Sequence, residues 1–292
     1  MSDRKTRQYF RRAKKTNPKA IVVAVGCYVQ VKKDKLQEIP EIDLILGTNE
    51  KSNIVAYVEQ YLNQKSKNRV ITDVMKEKEF SEFGDVTYTE NARATIKIQD
   101  GCDRFCTYCI IPYARGRIRS RKQESIIKEI QELAQNGIKE VVITGIHIAS
   151  YGKDWNKKDA LIELLEKINN IKGIERIRLG SLEPTLITEE WVKRLKKLDK
   201  ICDHFHLSMQ SGCDETLKRM NRRYTVENML QSIKLLREEY PEVALTTDII
   251  VGFPGETEEE FQKTYDILQK IKFYKIHVFP YSRREGTKAP QM

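Results

Sequence analysis

"RATIKIQDGCDRFCTYC", residues 93 to 109, opens as an alternation of apolar and polar residues and closes on three cysteines, Cys102, Cys106 and Cys109. The alternation predicts a half-buried strand over 93–99, with Ala94, Ile96 and Ile98 on its core face. The thiols then lie on the loop that leaves the strand's carboxyl end. Downstream the pattern repeats. It predicts helices at 125–137, 160–173, 188–198, 225–240 and 257–271, with strands at 140–145, 174–180, 204–210, 243–252 and 275–282. Gly137 closes the first helix and Thr188 caps the third. Strand and helix in alternation imply a parallel β/α architecture. Eight units close a barrel, so six strands predict a partial, laterally open (β/α)6 barrel.

Upstream, 3–16 reads as a basic helix, 20–26 and 42–47 as strands, 29–37 as a helix, and 49–64 as a helix with Asn49 at its N-cap. Two strands are too few for a complete covered sheet. The division expected is therefore the remnant of a small α/β domain at 1–66, a polar linker at 67–91 and the barrel at 92–292.

The chain has 292 residues, 40% of them apolar and 32% charged, a globular composition. No apolar run approaches the roughly 20 residues that span a bilayer. The basic start has no apolar segment, so no secretory signal and a cytoplasmic protein are expected. The net charge of +10 is clustered. Residues 1–35 hold eleven Lys or Arg against Asp3 and Asp34. A second island comprises Arg115, Arg117, Arg119, Arg121 and Lys122, and a third is "LKRMNRR" at 217–223. Charge runs are usually solvated faces, yet three islands in one chain favour a polyanionic partner, nucleic acid before others.

Six cysteines in a chain read as cytoplasmic point to metal or catalysis before disulfides. Cys202 and Cys213 stand among apolar residues as core thiols, and Cys27 closes an apolar strand at a glycine. For the triad, structural zinc wants four ligands, and only Cys106 and Cys109 form a CxxC pair; His147, His204, His206 or His277 would have to supply the fourth. Three soft thiolates suit a four-iron cluster instead, leaving one iron open to chelate a substrate. Polar or glycine residues also follow every strand: Gly145 and His147, Ser181 and Glu183, Ser208, Gln210 and Ser211, Gly252 to Gly255, and Tyr281. Singly each is turn chemistry. Together they mark the carboxyl ends of the strands, where parallel β/α folds bind ligands.

The Cys-x3-Cys-x-aromatic-Cys spacing resembles that of radical S-adenosylmethionine (SAM) enzymes. The block "DGCDRFCTYCIIPYARGRIRSR", with "TGIHIASYG", "GSLEP", "HLSMQSGCDETLKRMNR" and "DIIVGFPGETEEEF" in order, resembles the radical SAM methylthiotransferases. Within them the chain is most similar to the branch acting on threonylcarbamoyladenosine in tRNA. The resemblance implies that Cys102, Cys106 and Cys109 hold a [4Fe-4S] cluster whose open iron takes SAM, cleaved by one electron to a deoxyadenosyl radical. It implies that Tyr108, Gly145, Ser208, Gln210 and Gly252 contact the cofactor, and that tRNA, an electron donor and a sulfur source are partners, with no membrane. Arg4, Arg7, Arg11 and Arg12 are expected on the RNA backbone.

The family also carries an auxiliary [4Fe-4S] cluster held by three N-terminal cysteines, of which Cys27 matches the third, and a C-terminal RNA-binding β-domain. The other two cysteines and that domain have no counterpart in these 292 residues. Either a truncated product or an incomplete sequence is therefore expected, the 292 residues forming deoxyadenosine but little methylthio product. The rivals are a ribosomal-protein methylthiotransferase, or a non-catalytic fragment that binds iron–sulfur or RNA.

Overall fold

The computed structural model describes residues 2–64, 68–82, 84 and 92–292. Two compact units emerge: Met1–Phe83 together with Ile110–Arg117, and Gly84–Cys109 together with Ile118–Met292.

The first unit contains α1 (Ser2–Thr16), β1 (Val23–Val25), α2 (Cys27–Gln37), β2 (Leu44–Leu46), a 3-10 turn at Asn49–Asn53, α3 (Ile54–Gln64), β3 (Asn68–Val70) and α4 (Ile111–Arg115). Its sheet is parallel in the order β1-β2-β3. Phe10 of α1 joins Ala24, Val29, Leu36 and Ile45 in the core. Asp43 ties α1 down: its carboxylate is 2.7 Å from Lys14 Nζ and accepts from the Val22 amide (2.8 Å) and the Tyr61 hydroxyl (3.0 Å). Burial opposes that charge, and these bonds overcome it, lowering the carboxyl's pKa.

Two expectations are corrected in this unit. Asn49 does not cap a helix; it opens the 3-10 turn, and its amide reaches Thr72 Oγ1 at 3.4 Å. The neighbouring Glu50 is buried and accepts from the Thr72 amide (2.9 Å), so tertiary partners replace a local cap. Asn68–Val70, read as linker, adds a third strand; three residues are too few to show a period. Of that linker, residues 67, 83 and 85–91 lie outside the described residues.

The second unit runs β4 (Arg93–Asp100), β5 (Arg119–Ser120), α5 (Gln123–Gln135), β6 (Glu140–Gly145), α6 (Ala160–Asn169), β7 (Arg176–Leu179), α7 (Glu189–Lys196), β8 (His204–Gln210), α8 (Asp214–Arg219), α9 (Val226–Glu239), β9 (Ala244–Val251), α10 (Glu258–Ile271) and β10 (Lys275–Pro280). The six long strands are parallel and follow the order β4-β6-β7-β8-β9-β10, with β5 antiparallel on the outer edge of β4. Single bridges, Ile177–Ile201 and Leu182–Leu207, join the two halves at β7 and β8. Among the described residues β4 and β10 do not pair, so the barrel is partial and laterally open, as the strand count predicts.

Helices cover the outside because their apolar stripes match the apolar face of each strand. α6 buries Leu161, Ile162, Leu164, Leu165 and Ile168 in one core with Ile96, Ile143 and Ile177. Thr188, Thr225 and Thr257 each accept the amide three residues on, and the latter two complete capping boxes. Such caps, each worth about 1 kcal/mol, set where the helices after β7, β8 and β9 begin. Among the described residues no helix is long and apolar enough to cross a membrane.

Candidate metal and cofactor site

The cysteine loop is built on the exit of β4. Gly101 turns the chain at φ +70°, and the Asp100 carboxylate receives its amide at 2.8 Å. Gln99, fully buried, donates from Nε2 to the Asp100 and Gly101 carbonyls (2.7 Å each), and its Oε1 accepts the His147 amide at 2.8 Å. One amide side chain thus ties the loop after β4 to the loop after β6. A Cβ on Gly145 would lie 3.0 Å from the Gln99 carbonyl oxygen and 3.1 Å from its Oε1, so any side chain there would push the strands slightly apart.

Cys102 and Cys106 are buried and Cys109 is half-buried. The Arg104 amide points at Cys102 Sγ (3.4 Å), and Arg222 Nη1 donates to Cys106 Sγ (3.3 Å). Burial raises the Cys102 thiol's pKa, against the opposing pull of the Arg104 amide. The loop's outer side is held by residues after β8. Asn221, at φ +58°, donates from Nδ2 to the carbonyls of Arg104 (3.1 Å) and Phe105 (3.0 Å), and Phe105 is itself at φ +49°. The Thr107 amide donates to the Met220 carbonyl (3.1 Å), and its hydroxyl donates to the Arg219 carbonyl (2.8 Å).

Behind the loop is Glu183, buried to 2% exposure. Its carboxylate pairs with Arg104, lies 3.5 Å from Arg222 Nη2 and 3.3 Å from His147 Nε2. Burial alone would push this carboxyl upward, but His147 and the two guanidinium charges bring it down to about 2. Arg222 also donates to the Ser208 carbonyl (3.2 Å) and to Tyr224 Oη (2.9 Å), so it links β8 to Cys106.

The residues expected at the cofactor converge in part. Tyr108 Oη donates to Gln210 Oε1 at 3.3 Å, and its ring packs edge-on to Phe253, which packs edge-on to Tyr281. Burial pushes the Tyr108 phenol well above its ordinary pKa, so it stays neutral. Gln210 takes φ +65°, an uncommon conformation for a side-chain-bearing residue at the end of a strand. Ser208 and Gln210 both lie at the end of β8, where the pairing with β9 shifts register between Leu207 and Gln210. Gly252 turns at φ +67°, with its amide and that of Phe253 held by Glu256 Oε2 (2.6 and 3.2 Å).

The donor set distinguishes zinc from an iron–sulfur cluster. A zinc ion with bonds of about 2.3 Å would draw its sulfurs to about 4 Å of one another. The only compact group of metal-ligating atoms among the described residues, all within 4.8 Å, is Cys213, Glu215 and Glu260, so the triad is not gathered that tightly. Both nitrogens of His147 and of His206 are already directed to Ser150 and Glu183, and to Thr246 and Asp248. Three spread thiols with amide and guanidinium donors on their sulfurs fit an iron–sulfur cluster, whose ligands bind different irons.

A Radical SAM superfamily model matches residues 96–268. The chain is 42% identical over 290 residues to a threonylcarbamoyladenosine tRNA methylthiotransferase of Bacillus subtilis, covering 99% of this chain and 64% of that one. The corresponding Aquifex aeolicus protein is 44% identical over 290 residues, covering 99% and 70%. The chain belongs to the methylthiotransferases of the radical SAM superfamily. A Thermoanaerobacter tRNA-2-methylthio-N(6)-dimethylallyladenosine synthase is 42% identical, with 96% of this chain and 59% of that one covered. Among solved structures, the radical SAM methyltransferase TsrM of Kitasatospora setae, with tryptophan and a SAM analogue bound, superposes with a TM-score of 0.71 at 17% identity, covering 94% of this chain and 57% of that one. That likeness speaks for the fold alone.

The basic islands of this methylthiotransferase-family chain require correction. Arg119 and Arg121 are buried, 3.9 Å from Asp100 and paired with Glu129 respectively. In the third island, Arg219 donates to Glu260 (3.0 Å) and Arg222 faces Glu183. These arginines hold the barrel's upper loops together, because a buried guanidinium must be paired. In the N-terminal island, Arg4, Arg11 and Arg12 are exposed, Arg11 lying 3.8 Å from Glu41, whereas Arg7 is half-buried and donates to Tyr28 Oη (3.0 Å). Cys27 is the first residue of α2, half-buried, and its Sγ accepts from Arg115 Nε at 3.0 Å. Among the described residues it is the only cysteine of the first unit. Cys213 is buried as expected, donating to Glu215 (2.8 Å), but Cys202 is only half-buried. Sequence reasoning passed over Gln99, Arg104 and Arg222. Their position next to the cysteine and Ser-Met-Gln motifs was the available signal.

Proposed function

We propose that this chain binds a [4Fe-4S] cluster and S-adenosylmethionine and acts in methylthiolation of threonylcarbamoyladenosine in tRNA, at C2 of the adenine, in the cytoplasm where that tRNA works. The observation that carries the reading is the triad itself: three thiols on the loop after β4, two of them buried, with no compact fourth-ligand set around them among the described residues. The substrate follows the threonylcarbamoyladenosine enzymes named above. When bound, the cluster supplies one-electron chemistry to SAM.

The chain's own residues have derivable parts in this. Cys102, Cys106 and Cys109 hold the metal, and Arg222 and the Arg104 amide stabilise negative charge on two of the sulfurs. Glu183 fixes Arg104 and Arg222 and keeps them from opposing one another. Gln99 keeps Gly145 and the His147 loop close, which shapes the backbone floor beside the cysteines. Gln210 and Ser208 offer amide and hydroxyl groups for orientation, and Tyr108, Phe253 and Tyr281 exclude water on that side. An electron donor and a sulfur source complete the requirement. Cys27, at a helix N-terminus with an arginine on its sulfur, is the thiol we assign to an auxiliary cluster.

The test is anaerobic reconstitution with iron and sulfide. About four irons per triad, visible charge-transfer absorption, and dithionite-dependent deoxyadenosine from SAM are expected. Cys102, Cys106 and Cys109 changed together to Ala should lose all three. Mass spectrometry of digested tRNA then assigns the substrate. A methylthio product on isopentenyladenosine instead would move the chain to the other tRNA branch, and modification of a ribosomal protein would refute tRNA altogether.

A further inference from the structure

Beside the cysteine site, in the same unit, a cavity of about 280 Å³ opens between the loop after β6, the Pro184–Leu186 turn and the first turn of α7. Its size is at the low end for small-molecule sites, about right for a group the size of an amino acid. Thr185 joins it to the site: its hydroxyl donates to Glu183 Oε2 (3.2 Å), and Arg104 Nη2 reaches it at 3.5 Å. Lys153 also lines the cavity.

The lining is chemically lopsided. Trp191 is 6% exposed, and its indole N–H is buried with no hydrogen-bond partner among the described residues. A buried donor left unpaired costs about 1–3 kcal/mol, which an incoming acceptor would recover. Lys153 and Lys158 line the cavity and make no ion pair among the described residues. Arg194, the third cation, is already engaged bidentately by Glu166 (2.9 and 3.0 Å). Asp159 and Glu190 supply acceptors. An occupant should therefore present one carboxylate for the lysines, a carbonyl for the indole, and N–H or O–H donors for the acids.

We infer that this cavity binds the threonylcarbamoyl substituent of the target adenosine, with Lys153 and Lys158 on its carboxylate and Trp191 Nε1 on a carbonyl. The inference rests on the proposed substrate. It makes Lys153, Lys158 and Trp191 specificity residues: an isopentenyl group offers none of the three partners, so it would leave the indole unpaired.

The chain has two tryptophans, so ¹⁵N-tryptophan labelling gives two indole signals, from Trp155 and Trp191. Titrating the reconstituted protein with N6-threonylcarbamoyladenosine should move the Trp191 signal downfield, with isopentenyladenosine leaving it in place. Lys153→Met, at an exposed position, should raise the Kd for threonylcarbamoyladenosine about tenfold by calorimetry. It should leave the affinity for SAM unchanged. If threonylcarbamoyladenosine binds while the Trp191 signal stays put and Lys153→Met has no effect, the cavity assignment falls and the functional reading stands. If the chain binds isopentenyladenosine in preference, or neither nucleoside, the functional reading falls and takes the assignment with it.

Discussion

Glu183 places one buried carboxylate among Arg104, Arg222 and His147. Glu183→Gln would keep the shape and remove the charge, leaving two guanidinium groups without their common counter-ion. A loss of about 3–5 kcal/mol in urea unfolding is expected, the usual cost of breaking a buried pair from one side. Its pH dependence has a definite sign. The folded carboxyl titrates at about 2, below the roughly 4.3 of an unfolded glutamate. Between those values the unfolded chain binds more protons, so the contribution is complete above about pH 4.5 and is lost as pH falls toward 2. Urea midpoints of metal-free protein from pH 5 down to pH 3 should decline more steeply in the parent than in Glu183→Gln. Parallel declines would show that Glu183 is not the acid-sensitive group.

At the scale of elements, the cysteine loop is held between β4 and the turn after α8. Asn221 combines a left-handed backbone with two hydrogen bonds to the loop. The two roles separate by substitution. Asn221→Gly keeps the conformation and removes the amide, whereas Asn221→Ala removes the amide and adds strain of about 1 kcal/mol. Both should shorten the half-life of the visible absorption in air several-fold, and Ala more than Gly. If both variants hold the cluster as long as the parent, the turn is not what secures the loop. The same element shows why the third basic island is not a uniformly solvated face. Its arginines alternate between solvent and the site, as Arg223 is exposed while Arg222 is largely enclosed.

For the whole molecule, the charge surplus divides into structural and available parts. Arg119 and Arg121 are consumed inside the fold, while Arg4 and Arg12 remain exposed on α1. tRNA affinity measured against salt should therefore lose about 0.7–0.9 of its log–log slope for each of Arg4 and Arg12 that touches a phosphate, when both are changed to Gln. Arg119→Gln should instead lower thermal stability. An unchanged slope in the first variant would mean that α1 presents a solvated face and that the RNA binds elsewhere.

Periodicity alone determined the architecture of the second unit, because a strand with one buried face and a helix with one buried stripe each write their period into the chain. The cysteine spacing determined the metal chemistry for a similar reason: ligands on one loop are local. The caps at Thr188, Thr225 and Thr257 were legible in principle, although only Thr188 was read as one. The tertiary structure decided everything whose partner is distant in sequence. β3, β5 and α8 are too short to show a period. Whether an arginine faces water or a buried carboxylate depends on residues such as Glu129 and Glu183, far along the chain. Gln99, Glu183 and Arg222 acquired their roles only when parallel strands brought their carboxyl ends together. The cavity beside Trp191 exists for the same reason: its walls come from the β6–α6 and β7–α7 connections and the two helices that follow them, and no local pattern announces a space between them.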